Sequence, residues 1–158
     1  MNDDTGDLAG FLPYQLSVAS NAVSGLIAER YRKRFGLKIP EWRVMAVLGD
    51  RGSMTQRALT AATLMDKVAV NRAVKVLEER GLIARVPNPG DGRSHLLALT
   101  DEGRAIHGEV MPLARATEHE LLADLVPGEE DTLRRLLAGL RARALQLARP
   151  AKEGPEQE

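Results

Sequence analysis

The feature that most constrains this chain is a change of hydrophobic period at Gly81. From Leu12 to Arg80, apolar residues return every three or four positions, the spacing of amphipathic helices. Beyond Gly81 come two short apolar runs, Leu82 to Val86 and His95 to Thr100. Between them stands Pro87-Asn88-Pro89-Gly90-Asp91-Gly92-Arg93-Ser94, a turn-rich tip longer than a compact hairpin needs. Helical spacing resumes after Thr100. The pattern predicts a mainly α fold with one small β-hairpin.

Local signals divide the helical part. Leu16, Ala19, Val23, Leu26/Ile27 and Tyr31 define a long first helix from Leu12 to about Phe35, ended by Gly36. Ile39-Pro40-Glu41 opens a second, with proline and an acid in its first turn. A short helix follows from about Thr55 to Thr63, capped by Ser53 or Thr55. Asp66 is the N-cap of a helix running to Arg80, with Val70, Val74 and Leu77 on its apolar face. Thr100 caps another long helix, bent at Pro112 and reaching about Leu125. Pro127 opens the last, where Leu133, Leu136/Leu137, Leu140, Ala144 and Leu147 make a near-heptad stripe. Residues 1–10 are expected to be a flexible N-terminal segment and 149–158 a disordered tail. The outer helices, 11–36 and 101–148, have little to bury against within one chain. A homodimer built from them is one solution and a monomer folded back on itself the other.

Composition removes several function classes. With no cysteine there is no disulfide, cysteine-zinc site or thiol nucleophile. No apolar run is long enough for a membrane span, and the start is acidic, so a cytoplasmic protein without membrane contact is expected. Lys and Arg total 22 against 22 Asp and Glu, which by itself argues against a nucleic-acid partner. The charge is segregated, however. Residues 51–99 hold eight basic and four acidic side chains, whereas 101–131 hold nine carboxylates and two arginines. Such a chain can present one basic face to a polyanion, although solvated helix faces give the same tally.

Helix, short helix, tight turn, helix and hairpin, in that order, is the arrangement of a winged helix-turn-helix over residues 37–100, joined to a helical dimerisation region. In that motif the second helix of the pair enters the DNA major groove and the hairpin tip reaches the adjacent backbone or minor groove. Lys67, Asn71, Arg72 and Lys75 lie around the exposed side of that helix. Asn suits adenine and Arg guanine, while Val68 and Ala69 suit thymine methyls. Thr55, Gln56 and Arg57 open the preceding helix and join them as candidate DNA contacts.

The segments IPEWRVMAVL, TQRALTAATLMDKVAVNRAVKVLEERGLIARV, GDGR, LLALTDEGR and LVPGEEDTLRRLLAGL follow in the order found in the MarR family of transcriptional regulators, which the chain resembles over residues 12 to 148. The resemblance implies that Arg93 reaches the minor groove while Asp91 fixes the wing. It also implies a homodimeric repressor on a pseudo-palindromic, double-stranded DNA operator, released by a small aromatic acid or its coenzyme A thioester. The five aromatics, Phe11, Tyr14, Tyr31, Phe35 and Trp42, all precede residue 43. An aromatic pocket must therefore come from the first two helices, with Arg43 facing the ligand carboxylate and Asn21, Ser24, Tyr31 and Trp42 around it. These aromatics are equally suited to a plain core, with Arg43 structural. His95, His107 and His119 have no metal-ligand spacing, and no nucleotide-binding or nucleophile motif occurs, so neither a cofactor nor an enzyme activity is expected. A winged-helix module for protein contacts without sequence-specific DNA binding is the alternative function.

Overall fold

The computed structural model describes residues 7–148. Six helices and a two-stranded hairpin follow one another: α1 (Leu12–Phe35), α2 (Ile39–Arg51), α3 (Gln56–Thr63), α4 (Lys67–Glu79), β1 (Ile83–Pro87), β2 (His95–Leu99), α5 (Asp101–Leu122) and α6 (Glu129–Leu147). The mainly α class with a β-hairpin wing is as the periodicity predicts. The expected tail, 149–158, and residues 1–6 of the expected flexible segment lie outside the described residues. The rest of that segment has structure, because Leu8–Gly10 forms a 3-10 turn capped by the Asp7 carboxylate.

The boundaries follow from caps. Gly36 ends α1 at φ 62°, a left-handed conformation that costs glycine little. Arg80 then donates to the last carbonyls of α1, at 2.7 Å to Phe35 and 3.1 Å to Gly36. Thr55, not Ser53, caps α3 by accepting the Ala58 N–H at 3.2 Å. Asp66 caps α4 by accepting the Ala69 N–H at 2.8 Å. The last helix begins at Glu129 rather than Pro127, because Gly128 takes φ 90° and the Glu129 carboxylate returns to the Val126 N–H.

Two compact units divide within α5, after Thr117. The first has a single core. Leu37, Val44, Met45 and Leu48 meet Leu59, Val70, Val74 and Leu77, and the wing adds Leu82, Ile83, Leu97 and Leu99. Ala28 and Tyr31 of α1 and Val110 of α5 belong to the same cluster. Each buried Val, Leu, Ile or Met contributes about 1.5–3 kcal/mol, so α4 is held by its apolar face and freed on its polar one. The strands pair antiparallel from Ile83 opposite Leu99 to Pro87 opposite His95. Met54 adds a one-residue bridge to Leu97, with bonds of 3.1 and 2.8 Å, that ties the start of the α3 segment to the wing.

The wing and α5 meet at Gly103. Thr100 Oγ1 accepts the Gly103 N–H at 3.0 Å and donates to the Gly81 carbonyl at 2.6 Å. A Cβ on Gly103 would lie 1.9 Å from the Leu82 carbonyl oxygen, so only glycine allows this approach. In the second unit, Arg134 of α6 bonds Glu130 at 2.7 Å and Glu118 at 2.9 Å, while none of the α6 side chains is buried.

Candidate nucleic-acid interface

The surface that carries the expected base contacts is built on α4. Val70, Ala73, Val74 and Leu77 bury one face, and the helical period leaves Lys67, Val68, Asn71, Arg72 and Lys75 exposed on the others. Val68 is 57% exposed, a contact surface rather than core. Ala69 is half-buried, with its N–H tied to the cap. Lys75 is 3.9 Å from Glu79, an exposed pair too weak to hold it from another partner. Arg57 is exposed on α3, whereas Thr55 serves its helix as cap.

Gln56 does something that neither sequence period predicts. Its amide nitrogen donates to Asn71 Oδ1, and its amide oxygen accepts from Arg85 Nη2 at 3.2 Å. Arg85 is held in turn by Glu78, at 2.8 Å through Nε. Four side chains from α3, α4 and β1 are thereby connected. Arg85 and Glu78 were invisible as site residues, since each satisfies a surface position in its own element and only tertiary structure joins them. Gln56, Arg57, Thr60, Ala61, Lys67 and Asn71 line an open groove of about 570 Å³ between the two helices.

Not all the basic residues of the 51–99 stretch serve this surface. Arg80 caps α1 and Arg85 belongs to the network just described. Arg51 ends α2, 3.9 Å from Asp50, and the remaining five, Arg57, Lys67, Arg72, Lys75 and, on the wing, Arg93, are exposed. The wing tip has its own scaffold. Asn88 Oδ1 accepts the Gly90 N–H and Asp91 Oδ1 the Arg93 N–H, each at 3.0 Å. Asn88 Nδ2 also donates to Ser94 Oγ at 2.8 Å. Asp91 thus fixes the backbone from which the exposed Arg93 projects.

Of the residues expected around a small ligand, the structure pairs Arg43 with Ser24 and Tyr31 with Trp42, across α1 and α2, and, among the described residues, pairs Asn21 with none of them. Arg43 Nη2 lies 3.4 Å from Ser24 Oγ. Tyr31 and Trp42 stack at a tilt, with centroids 5.8 Å apart. Both are core side chains, 1% and 8% exposed, whereas Asn21 is exposed on α1 and Arg43 is half-buried. Burial pushes the Tyr31 phenol up to about 12, against the pull of Arg32 and Arg43. His107 of α5 completes the cluster, stacking on Trp42 at 5.6 Å. Burial lowers its pKa, partly offset by Asp50. Nothing in its sequence neighbourhood announced that contact. Among the described residues, no three His, Asp or Glu side chains converge as a metal site, and no helix is long and apolar enough to cross a membrane.

A capped helix with an outward cationic face, a short helix before it and a two-stranded wing behind it define a winged helix-turn-helix. Comparison with known proteins agrees. The MarR family model matches residues 35–94. The transcriptional regulator HosA of Escherichia coli O111:H- is 32% identical over 94 residues, 60% of this chain and 69% of HosA. The HTH-type transcriptional repressor NicR of Pseudomonas putida is 31% identical over 93 residues, 59% of each chain. A probable transcriptional regulator from Pseudomonas aeruginosa superposes with a TM-score of 0.72 at 34% identity, over 84% of this chain and 98% of that one. The fold is shared by Bordetella bronchiseptica BpsR, whose DNA binding is regulated by 6-hydroxynicotinic acid (TM-score 0.75, 24% identity, 86% and 96% covered). It is shared also by CouR from Rhodococcus jostii RHA1, solved with p-coumaroyl-CoA (0.74, 23%, 86% and 95%). The chain belongs to the MarR family and is a winged helix-turn-helix transcriptional regulator.

Proposed function

We propose that the protein is a homodimeric repressor that binds a pseudo-palindromic operator and leaves it when a small aromatic acid or its coenzyme A thioester binds. The observation that carries DNA reading is α4, buried on one side and presenting Lys67, Asn71, Arg72 and Lys75 on the other. Asn71 and Arg72 meet base edges, and Val68 and Ala69 meet thymine methyls. Gln56, Arg57, Lys67 and Lys75 lie along the groove walls and phosphates, with the α3 N-terminus at Thr55 beside them. Arg93 reaches the flanking minor groove from the turn that Asp91 fixes.

Dimerisation is supported by apolar surface left uncovered in one chain. Phe11, Leu12, Tyr14 and Val18 of the α1 end, and Leu133, Leu136, Leu137, Leu140 and Leu145 of α6, are all more than 40% exposed. A second copy covers such stripes by two-fold symmetry, and that symmetry requires two half-sites about one duplex turn apart. NicR, a repressor by name, supports the sign of regulation.

The effector is assigned to the α1–α2 region around Arg43, whose planar guanidinium suits a carboxylate. Ser24 and Asn21 supply hydrogen bonds, and the Tyr31–Trp42 pair forms the aromatic wall. BpsR, regulated by 6-hydroxynicotinic acid, and CouR, solved bound to p-coumaroyl-CoA, share this fold, which supports the ligand class. Ligand acts only through unequal affinity for dimers whose lobes fit the operator and dimers whose lobes do not. The test is anisotropy of a labelled duplex carrying the region upstream of the protein's own coding sequence, titrated with protein and then with 6-hydroxynicotinic acid or p-coumaroyl-CoA. Tight binding reversed by one of these supports the proposal. Binding unaffected by any aromatic acid or thioester removes the effector, and no preference over random DNA removes the repressor, leaving a module for protein contacts.

A further inference from the structure

We infer that Glu78, Arg85 and Gln56 form a positioning relay that fixes which way round the Asn71 carboxamide faces the DNA, and so sets one base preference in the operator. The inference rests on α4 being the base-reading helix.

The direction of the relay follows from hydrogen-bond chemistry. An amide side chain can be turned over, exchanging donor and acceptor, unless a partner fixes it. Arginine is such a partner, because a guanidinium only donates. Glu78 holds Arg85 by two contacts, 2.8 Å from Nε and 3.3 Å from Nη2. The same Nη2 reaches Gln56, 3.2 Å away, and only the amide oxygen of Gln56 can receive it. The Gln56 nitrogen must then face Asn71, and Asn71 must offer Oδ1 to it. The Asn71 NH2 is left to face outward from an exposed position on the groove between α3 and α4. One carboxylate near the C-terminal end of α4, two turns from Asn71 and linked to it only through Arg85 and Gln56, therefore decides what Asn71 shows to a base.

An outward NH2 seeks acceptors. In the major groove guanine offers O6 and N7, thymine O4, adenine N7 beside its amino group, and cytosine only an amino donor. The contacted base is accordingly a keto base, guanine or thymine, and cytosine is the worst choice. This sharpens the simple expectation that Asn pairs with adenine through both amide atoms, since one Oδ1 site is already occupied.

Gln56→Glu reverses the relay without removing it. Glutamate has oxygen at both ends, so it still accepts from Arg85 but forces Asn71 to turn its NH2 inward and its Oδ1 outward. The full-length wild type and the variants Q56E, R85M and N71A are each used to select duplexes from a randomised library, and the bound fraction is sequenced. Circular dichroism checks that each variant is folded. N71A marks the position read by Asn71, where it erases preference. At that position Q56E inverts the preference on the contacted strand from keto to amino bases by about tenfold, as expected for one hydrogen bond exchanged. R85M relaxes it there and leaves other positions unchanged. A merely structural role for Gln56 or Arg85 lowers affinity for all sequences alike and does not move one column of the motif. If the wild type selects a motif but Q56E and R85M select the same one, or N71A leaves every position intact, the relay is wrong. If the wild type selects no motif, the reading of α4 fails and the relay with it.

Discussion

Replacing Gly103 by alanine tests the junction that seats the wing on α5. The added Cβ would stand 1.9 Å from the Leu82 carbonyl oxygen, 3.0 Å from its carbon and 3.3 Å from Leu99 Cδ2. The nearest obstacle is backbone and cannot rotate away, so α5 must shift from the wing. Overpacking costs about 1–3 kcal/mol, and a rigid neighbour places this case at the upper end. The same carbonyl accepts the Thr100 N–H at 3.1 Å, a bond whose loss costs about 1 kcal/mol. Alanine returns up to about 1 kcal/mol through its better helix propensity. The net expectation is destabilisation by about 3 kcal/mol, a fall in melting temperature of about 6–12 °C for a chain of this size. Gly108→Ala is the control, since Gly108 is on the same helix with nothing within 4 Å of the new Cβ. It should be stabilising by up to about 1 kcal/mol. Urea unfolding followed by circular dichroism, at one fixed protein concentration because the stability of the proposed dimer depends on it, measures both. A Gly103→Ala protein as stable as wild type would refute the reasoning.

Other expectations concern charge and binding. Arg93→Ala should weaken operator binding and lower the salt slope of log K by about 1; an unchanged slope separates Arg93 from the phosphates. Arg43→Met should leave operator affinity intact and abolish release by an aromatic acid, so a variant still released would remove Arg43 from the ligand site. His107 stacks on Trp42, the one tryptophan in the chain. Acidification should quench its fluorescence with a midpoint below 6.5, because burial favours the neutral ring. The linked stability is present above 6.5 and lost as pH falls through the lowered pKa. A midpoint above 6.5 contradicts this. For Tyr31, burial raises the folded-state value to about 12, so its contribution is intact below pH 10 and lost between about 10 and 12. Tyr31→Phe should lose less stability than wild type across that window; equal losses would contradict the assignment.

The fold was largely legible because its boundaries are written in local chemistry. Thr55 and Asp66 offer side-chain oxygens to free N–H groups, while Gly36 accepts a left-handed turn. None of these needs tertiary information. The Met54–Leu97 bridge was not legible, since a single paired residue has no period. The start of α6 was misplaced because proline marks a first turn only where the following residues are helical, and Gly128 is not. At the site, the exposed face of α4 could be read from spacing, and the wing turn from Asp91 and its glycines. The Glu78–Arg85–Gln56–Asn71 chain and the His107–Trp42 stack could not, for they depend on how separate elements pack together. Arg80 illustrates the same limit, since a basic residue counted toward the DNA face instead caps α1.

In the proposed complex, zero net charge leaves little general attraction to DNA, and binding depends on base contacts and on the spacing of the two proposed reading heads. Hydroxyl-radical footprinting on the DNA upstream of its own coding sequence measures this directly. The account predicts two protected half-sites about one helical turn apart, inverted with respect to each other, at saturation by two protomers, and their disappearance with Arg72→Ala. Uniform protection without half-sites, or an unchanged footprint in Arg72→Ala, would contradict it.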